Sequence, residues 1–268
     1  MMTFGIPLIS SRVARNWAST EKLLGATLRS VFNQTGANIR VIIACHERPN
    51  LDEIEDERVF IREVEFDIPR FRWEMELDRM RKVEVLGAEL RSHGGGWMFV
   101  LDADDFVSKH LARTIQANDA KAVMVRRGYR LDAKTGRYQA LGKLWGKCGS
   151  CAAVHWDASE LPLRPLSDDP SVYHEFCDNR HYLLPAFFAS KSWSWKFLES
   201  PLVTYVVNHG SNQSEVIVKD TLKWRLYFKL QEWKPWTPTL DNEFGISPEQ
   251  RAWGIYTGAN HFSTEVRG

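Results

Sequence analysis

Little in this sequence would place the protein in a bilayer, on nucleic acid or in a disulfide-stapled scaffold. No apolar run reaches the roughly 18 residues that would suggest a membrane-spanning helix. Basic and acidic residues nearly cancel, 35 against 34, leaving a formal net charge of +1. That balance lacks the basic excess of a general nucleic-acid binder, so no nucleic-acid partner is expected. Cysteines number only four, Cys45, Cys148, Cys151 and Cys177. The opening Met1-Met2-Thr3-Phe4-Gly5-Ile6-Pro7 has neither the basic start nor the long apolar stretch of an export leader. A disulfide framework is therefore not expected, and a cytoplasmic protein is. Internal repeats and low-complexity tracts are missing too, which excludes a solenoid.

What is present suits one large α/β domain: 268 residues, 44% of them hydrophobic, with 11 tryptophans concentrated in the second half. The first half alternates strand-like runs with helical spacing, the pattern of a mostly parallel sheet. Residues 4–10 read as a first strand. Leu24, Leu28 and Val31 recur at helical spacing within 18–34, and Gly36 is placed to stop that helix. Residues 39–45 form a β-branched second strand and 59–64 a short third one. A second helix is expected over about 76–92, ended by Gly94-Gly95-Gly96. The second half is less regular. A strand is expected within 121–131, a loop or bent hairpin over 141–156, a loop over 161–170, a helix over 172–184 and a strand over 201–208.

The run Trp97-Met98-Phe99-Val100-Leu101 stops abruptly at Asp102-Ala103-Asp104-Asp105. A strand that delivers clustered carboxylates to the carboxyl edge of an open α/β sheet puts them where such sheets bind ligands. Three aspartates within four residues repel one another unless something positive sits among them. A hard divalent cation, Mg²⁺ or Mn²⁺, prefers such oxygen ligands and also bridges to a diphosphate. The plain alternative is a solvated loop in which Asp105 and Ser108 cap the next helix.

The string Leu101-Asp102-Ala103-Asp104-Asp105-Phe106-Val107 resembles the metal-binding motif of family-two glycosyltransferases, which have the GT-A fold. The resemblance extends to Phe4-Gly5-Ile6-Pro7, to residues 27–35, to Val41 through His46, and to Asp78-Arg79-Met80-Arg81-Lys82. It covers residues 4–110 well and the rest loosely. It implies a Rossmann-like, mostly parallel sheet flanked by helices, with a nucleotide-sugar-binding half (1–118) and a smaller acceptor-binding half (119–268) in one compact domain. By the same resemblance Asp104 ligates the metal and Asp102 faces both metal and ribose. Pro7 and Ala103 line the nucleotide-sugar site, and Ser10, Ser11 and Arg12 meet the base. Glu47 offers a polar group to base or ribose. Asp78 and Lys82 approach the nucleotide, against the alternative of an ordinary surface i,i+4 pair. The donor implied is a UDP-, GDP- or dTDP-sugar, and the acceptor a glycan or glycolipid.

Enzymes of this family generally invert the anomeric centre, which calls for a base on the acceptor side. Candidates are Asp168 and Asp169 in the proline-flanked loop and Glu175 or Asp178 in the following helix, with His181 departing from the usual acidic pattern. The segment Val207-Asn208-His209-Gly210-Ser211-Asn212-Gln213-Ser214 resembles a His-Gly-x-Asn-x-Ser segment near the end of many relatives, which puts His209 at the metal or diphosphate. Cys148-Gly149-Ser150-Cys151 has three readings. It forms a structural zinc site with His174 and Cys177, a dithiol redox pair, or a small-residue loop facing the acceptor. Residues 219–236 read as a helix with Leu222, Leu226, Leu230 and Trp233 on one stripe, docking on the core or lying on a membrane surface. Two further functions share these features: nucleotidyl transfer, although the loop Ser10-Ser11-Arg12-Val13-Ala14-Arg15 lacks the expected glycines, and non-catalytic nucleotide or glycan binding.

Overall fold

A computed structural model of the chain describes residues 1–165, 171–209 and 232–246. Strands β1 (Met2–Pro7), β2 (Ile39–Cys45), β3 (Val59–Glu63) and β4 (Gly95–Val100) pair in parallel in the order 3-2-1-4. Helix α1 (Trp17–Phe32) connects β1 to β2, and α2 (Arg72–Ser92) connects β3 to β4. Asn16 caps α1 by accepting from the Ser19 amide at 3.0 Å. The α1 crossover steps from β1 to β2, whereas the α2 crossover returns from the edge strand β3 past β2 and β1 to β4, so right-handed connections place α1 and α2 on opposite faces of the sheet. The side chains follow that division by strict alternation. Ile39, Val41, Ile43, Trp97, Phe99 and Leu101 pack with Leu24, Leu28 and Val31 of α1, while Ile42, Ala44, Met98 and Val100 pack with Val83, Leu86 and Leu90 of α2. Each large side chain so buried contributes about 1.5–3 kcal/mol.

Beyond β4 the sheet continues with β9 (Ala152–Asp157), β6 (Ala122–Val125) and β10 (Trp195–Leu198), giving the seven-stranded order β10-β6-β9-β4-β1-β2-β3. Only β9 runs against the rest. A second sheet, β12-β8-β7-β11-β5, comprises β5 (Phe106–Val107), β7 (Gly128–Asp132), β8 (Arg137–Leu141), β11 (Val203–Val207) and β12 (Lys234–Pro235). Short helices complete the chain: α3 (Leu111–Gln116), α4 (Val172–Asp178), α5 (Leu184–Ser190) and α6 (Pro238–Phe244). The fold is mixed α/β with a parallel-rich sheet flanked by helices, as expected from the alternation in the first half. Among the described residues no helix is long and apolar enough to cross a membrane.

Several second-half expectations change. The segment 121–131 is two strands in different sheets, because the exposed Arg126-Arg127 pair interrupts the apolar run. The expected loop over 141–156 holds β9, an interior strand whose buried Ala152, Ala153 and Val154 carry too little bulk to stand out beside glycines and cysteines. It reaches its neighbour because Gly95 (φ +82°) lets β4 begin where any Cβ would lie 2.4 Å from the Trp156 carbonyl oxygen. The expected helix over 172–184 is broken after Asp178, where Asn179 turns extended at ψ 127°, and restarts as α5 with Pro185 in its first turn. Of the expected helix over 219–236, residues 219–231 lie outside the described residues, and Lys234–Pro235 are a short strand.

Candidate functional site

Chain order reverses between β1 and β4, with the helices on opposite faces, the position where doubly wound sheets open a crevice at their carboxyl ends. Pro7 ends β1 there, and Leu101 carries the β4 pairing one residue further by donating from its amide to Gly5 O at 2.9 Å. The chain then turns tightly, with the Asp105 amide donating to Asp102 O at 3.1 Å. Thr27 on α1 donates its hydroxyl to Ala103 O at 2.9 Å, pinning the turn's tip.

The turn divides the three aspartates. Asp105 points inward and is 0% exposed. Its carboxyl accepts from the Ser150 hydroxyl (2.6 Å), the Cys148 thiol (3.1 Å) and the Val206 amide (3.1 Å). Burial, reinforced by the charges of Asp104 and Asp102, pushes the Asp105 carboxyl well above the usual carboxylate range. Asp102 and Asp104 face a cleft of about 790 Å³. Arg79 of α2 donates to Asp102 Oδ1 at 2.9 Å. His209 Nε2 lies 2.8 Å from Asp104 Oδ2, with its side chain only 5% exposed. Asn208 supplies the turn into His209 by adopting a left-handed φ of 61°, which asparagine tolerates better than most residues. Gly149 is required opposite: a Cβ there would sit 2.9 Å from Asp102 Oδ2.

The charge problem posed by the acidic run is thus met in part by the protein itself. Arg79 pairs with Asp102, His209 with Asp104, and Asp105 is buried among donors. Among the described residues no group of three or more His, Cys, Asp or Glu side chains is gathered closely enough to hold a metal. The donor chemistry at the rim, two carboxylates and an imidazole around one cleft, nonetheless suits Mn²⁺ or Mg²⁺ once a diphosphate supplies further oxygens.

Pro7, Asp78, Lys82, Asp102, Ala103, Asp104, Asp178, His181 and His209 all line this one cleft. Asp78 and Lys82 are not the surface pair that their spacing also allows. Lys82 is 1% and Asp78 8% exposed. The Lys82 ammonium donates to Asp78 Oδ2 and to Leu8 O, both at 2.7 Å, while His46 Nε2 lies 2.7 Å from Asp78 Oδ1. Burial pulls the Lys82 pKa down, and the attraction of Asp78 opposes it.

Ser10, Ser11, Arg12 and Glu47 form a self-contained turn rather than cleft wall. Glu47 accepts from the Ser10 hydroxyl at 2.9 Å and from the Ser11 amide, and the Arg12 amide donates to Ser10 Oγ. Burial raises the Glu47 carboxyl, but the bonds from Ser11 and Ser10 outweigh it and leave the pKa below its ordinary value. The candidate bases Asp168 and Asp169 lie outside the described residues, as do 210–214. His181 Nδ1 lies 2.5 Å from Trp145 O. Because a carbonyl only accepts, Nδ1 carries the proton and Nε2 of the neutral ring is the lone-pair nitrogen.

The zinc reading of the cysteines gains no support: Cys148 donates to Asp105, and among the described residues no group of three or more His, Cys, Asp or Glu side chains is gathered closely enough to hold a metal. Burial raises the thiols of Cys148, Cys151 and Cys177, away from the thiolate form that a redox exchange needs. Sequence reasoning also left Arg79 without a role, although it stands three residues before Lys82 on the same helix. The anchors Ser150 and Cys148 carried no local sign of contact with Asp105, 43 to 45 residues away.

No protein-family model matches the chain, and no curated protein matches its sequence. Solved structures of low similarity do. A nucleotidyl transferase from Methanothermobacter thermautotroptrophicus is 13% identical with a TM-score of 0.40, covering 85% of this chain and 95% of that one. A 4-diphosphocytidyl-2C-methyl-D-erythritol synthase is 11% identical with a TM-score of 0.40, covering 74% and 88%.

Proposed function

We propose that the cleft binds a nucleoside diphosphate-sugar (UDP-, GDP- or dTDP-linked) across the Asp102–Asp104 rim and transfers the sugar, with inversion, to a hydroxyl of a glycan or glycolipid acceptor. The observation that carries this reading is the convergence of Asp102, Asp104 and His209 on one cleft at the switch point of the sheet. Asp102, Asp104 and His209 would hold a divalent cation, whose chemistry there is to neutralise charge on the departing diphosphate. Asp78 and Lys82 form a rigid part of the cleft wall beneath Leu8. A cytoplasmic site of action and contact with a membrane surface belong to the same proposal.

Of the candidate bases, His181 is the best prepared. Its Nδ1–H is fixed on Trp145 O, so Nε2 accepts the acceptor's hydroxyl proton while that oxygen bonds to the anomeric carbon and the carbon–diphosphate bond breaks. Asp178 lines the same cleft but is exposed to solvent. Replacing the ring with His181→Ala is expected to lower kcat by about 10²–10⁴-fold with nucleotide affinity retained. Steady-state kinetics beside calorimetric binding check this, and an unchanged kcat would return the base role to a carboxylate.

Nucleotidyl transfer is the second reading. The turn at 10–14, stapled by Glu47 and free of glycine, offers no loop of open amides for a triphosphate. Product analysis separates the two. Glycosyl transfer releases nucleoside diphosphate from a nucleotide-sugar, whereas nucleotidyl transfer releases pyrophosphate from a nucleoside triphosphate and a sugar phosphate. Pyrophosphate as the sole product would overturn the first reading.

A further inference from the structure

Five of the seven large hydrophobic side chains exposed among the described residues come from two short segments: Phe71 (61%), Trp73 (69%) and Leu77 (38%) at the start of α2, and Tyr182 (46%) and Leu183 (44%) after α4. The segments belong to one rim of the cleft. Arg180 Nε reaches Glu76 Oε1 at 3.4 Å, tying them together, and Trp73, Leu77 and Tyr182 all line the cleft wall. Leaving this much aromatic surface in water has a cost that a monomer normally avoids unless the patch binds something.

We infer that Trp73 and Tyr182 form a stacking platform for a pyranose ring, the acceptor sugar of the proposed transfer. Three observations select a sugar over a lipid surface. The platform is continuous with the cleft that holds Asp102 and Asp104. The Tyr182 ring stands edge-on to His181, with centroids 5.6 Å apart and planes at 89°. A ring seated on Tyr182 thus presents its hydroxyls beside the base that the proposed mechanism uses. Polar groups on the same cleft wall include Glu76, Arg79, Lys147, Asp178, Asn179 and Arg180, two carboxylates, an amide and three cations, and Arg70 precedes Phe71 in the chain. That mixture pairs with hydroxyls, whereas an anionic membrane surface calls for clustered Lys and Arg. The apolar C–H face of a pyranose meets the indole and phenol faces, and its hydroxyls meet the polar groups.

The assignment of this ring as acceptor rests on the glycosyl-transfer reading; the presence of a sugar subsite does not. The test is saturation-transfer NMR of the full chain with the methyl glycosides of glucose, galactose, N-acetylglucosamine and rhamnose at millimolar concentration. Wild type transfers saturation to ring C–H protons of at least one of them. Trp73→Ala weakens that binding at least about tenfold, and Trp73→Phe, which keeps a flat ring, restores most of it. Trp73 is exposed, so its truncation opens no core cavity. In the same samples UDP binding with Mn²⁺ is unaltered by Trp73→Ala. Glycoside binding without any nucleotide binding in wild type leaves the subsite standing and removes the proposed function. Nucleotide binding without glycoside binding overturns the subsite alone. Sedimentation with phosphatidylglycerol vesicles that is lost in Trp73→Ala, with no glycoside bound, also overturns it and assigns the patch to a membrane.

Discussion

Replacing Asp105 with alanine is expected to destabilise the protein by about 2–4 kcal/mol in equilibrium denaturation, although the residue looks like part of a solvent-facing acidic motif. Its carboxyl is the shared acceptor for three donors from distant parts of the chain, Ser150, Cys148 and Val206. Ser150 also accepts from the Asp102 amide at 2.9 Å, so the same cluster sets the direction of the rim. Alanine removes the buried acceptor that the Ser150 hydroxyl, the Cys148 thiol and the Val206 amide share, each hydrogen bond being worth about 0.5–1.5 kcal/mol, and opens a small void besides. Part of this is offset because burial and the charges of Asp104 and Asp102 already strain the carboxylate form. Asp105→Asn keeps an acceptor oxygen for Val206 and is expected to cost less than alanine. Urea midpoints at unchanged slope read the difference. A cost below about 0.5 kcal/mol for alanine, the range of ordinary surface substitutions, would mean that Asp105 anchors nothing.

A larger loss is expected for Asp78→Ala, about 3–5 kcal/mol at neutral pH, because it strands a buried cation. Lys82 is 1% exposed, and without Asp78 its ammonium keeps only Leu8 O among the partners described above. His46 loses its carboxylate partner as well. Lys82→Met is milder, since an unbranched apolar side chain fills the same space while Asp78 retains His46. The pH dependence distinguishes this account from a simple packing defect. Burial already lowers the Lys82 pKa from 10.5, and Asp78 is the main force holding it up. Removing Asp78 lowers it further. A cation whose folded pKa lies below its unfolded value weakens the fold at low pH and is relieved as pH rises through the folded value. Asp78→Ala should therefore regain stability in alkaline buffer relative to wild type, and Lys82→Met should not. Parallel losses for both variants at every pH would contradict a stranded charge.

Much of the first half was legible because its chemistry is local. The β-branched run 39–45 and the apolar run 97–101 alternate between two helical layers, and Gly94 stops α2 with a φ of 85°. β9 was hidden because its residues include two alanines, and only its antiparallel register, running from Gly95 opposite Asp157 to Phe99 opposite Ala153, shows that it belongs beside β4. A strand ending in acids was enough to place Asp102 and Asp104 at the carboxyl edge of the sheet, where they line the cleft. It was not enough to see that the third aspartate turns inward, since its partners lie on segments far along the chain. The spacing of Asp78 and Lys82 fits a surface pair or a ligand-facing pair equally well. Burial under the end of β1 settles their environment, and no helical pattern reports that. The same holds for His181, whose Nδ1 proton is fixed by a backbone oxygen that no motif encodes.

The central claim is that the rim at Asp102 and Asp104, with His209, holds a nucleoside diphosphate together with a divalent cation. Isothermal titration of UDP, GDP and dTDP into the protein, with Mn²⁺ and with chelator, tests it in wild type and in Asp104→Ala. Wild type is predicted to bind at least one nucleotide only when Mn²⁺ is present. Asp104→Ala is predicted to bind it at least about 100-fold more weakly, equivalent to several kcal/mol of lost metal-bridged contact, with an unaltered unfolding midpoint. Equal affinity in the two proteins, or no binding of any of the three nucleotides with Mn²⁺, would contradict the claim.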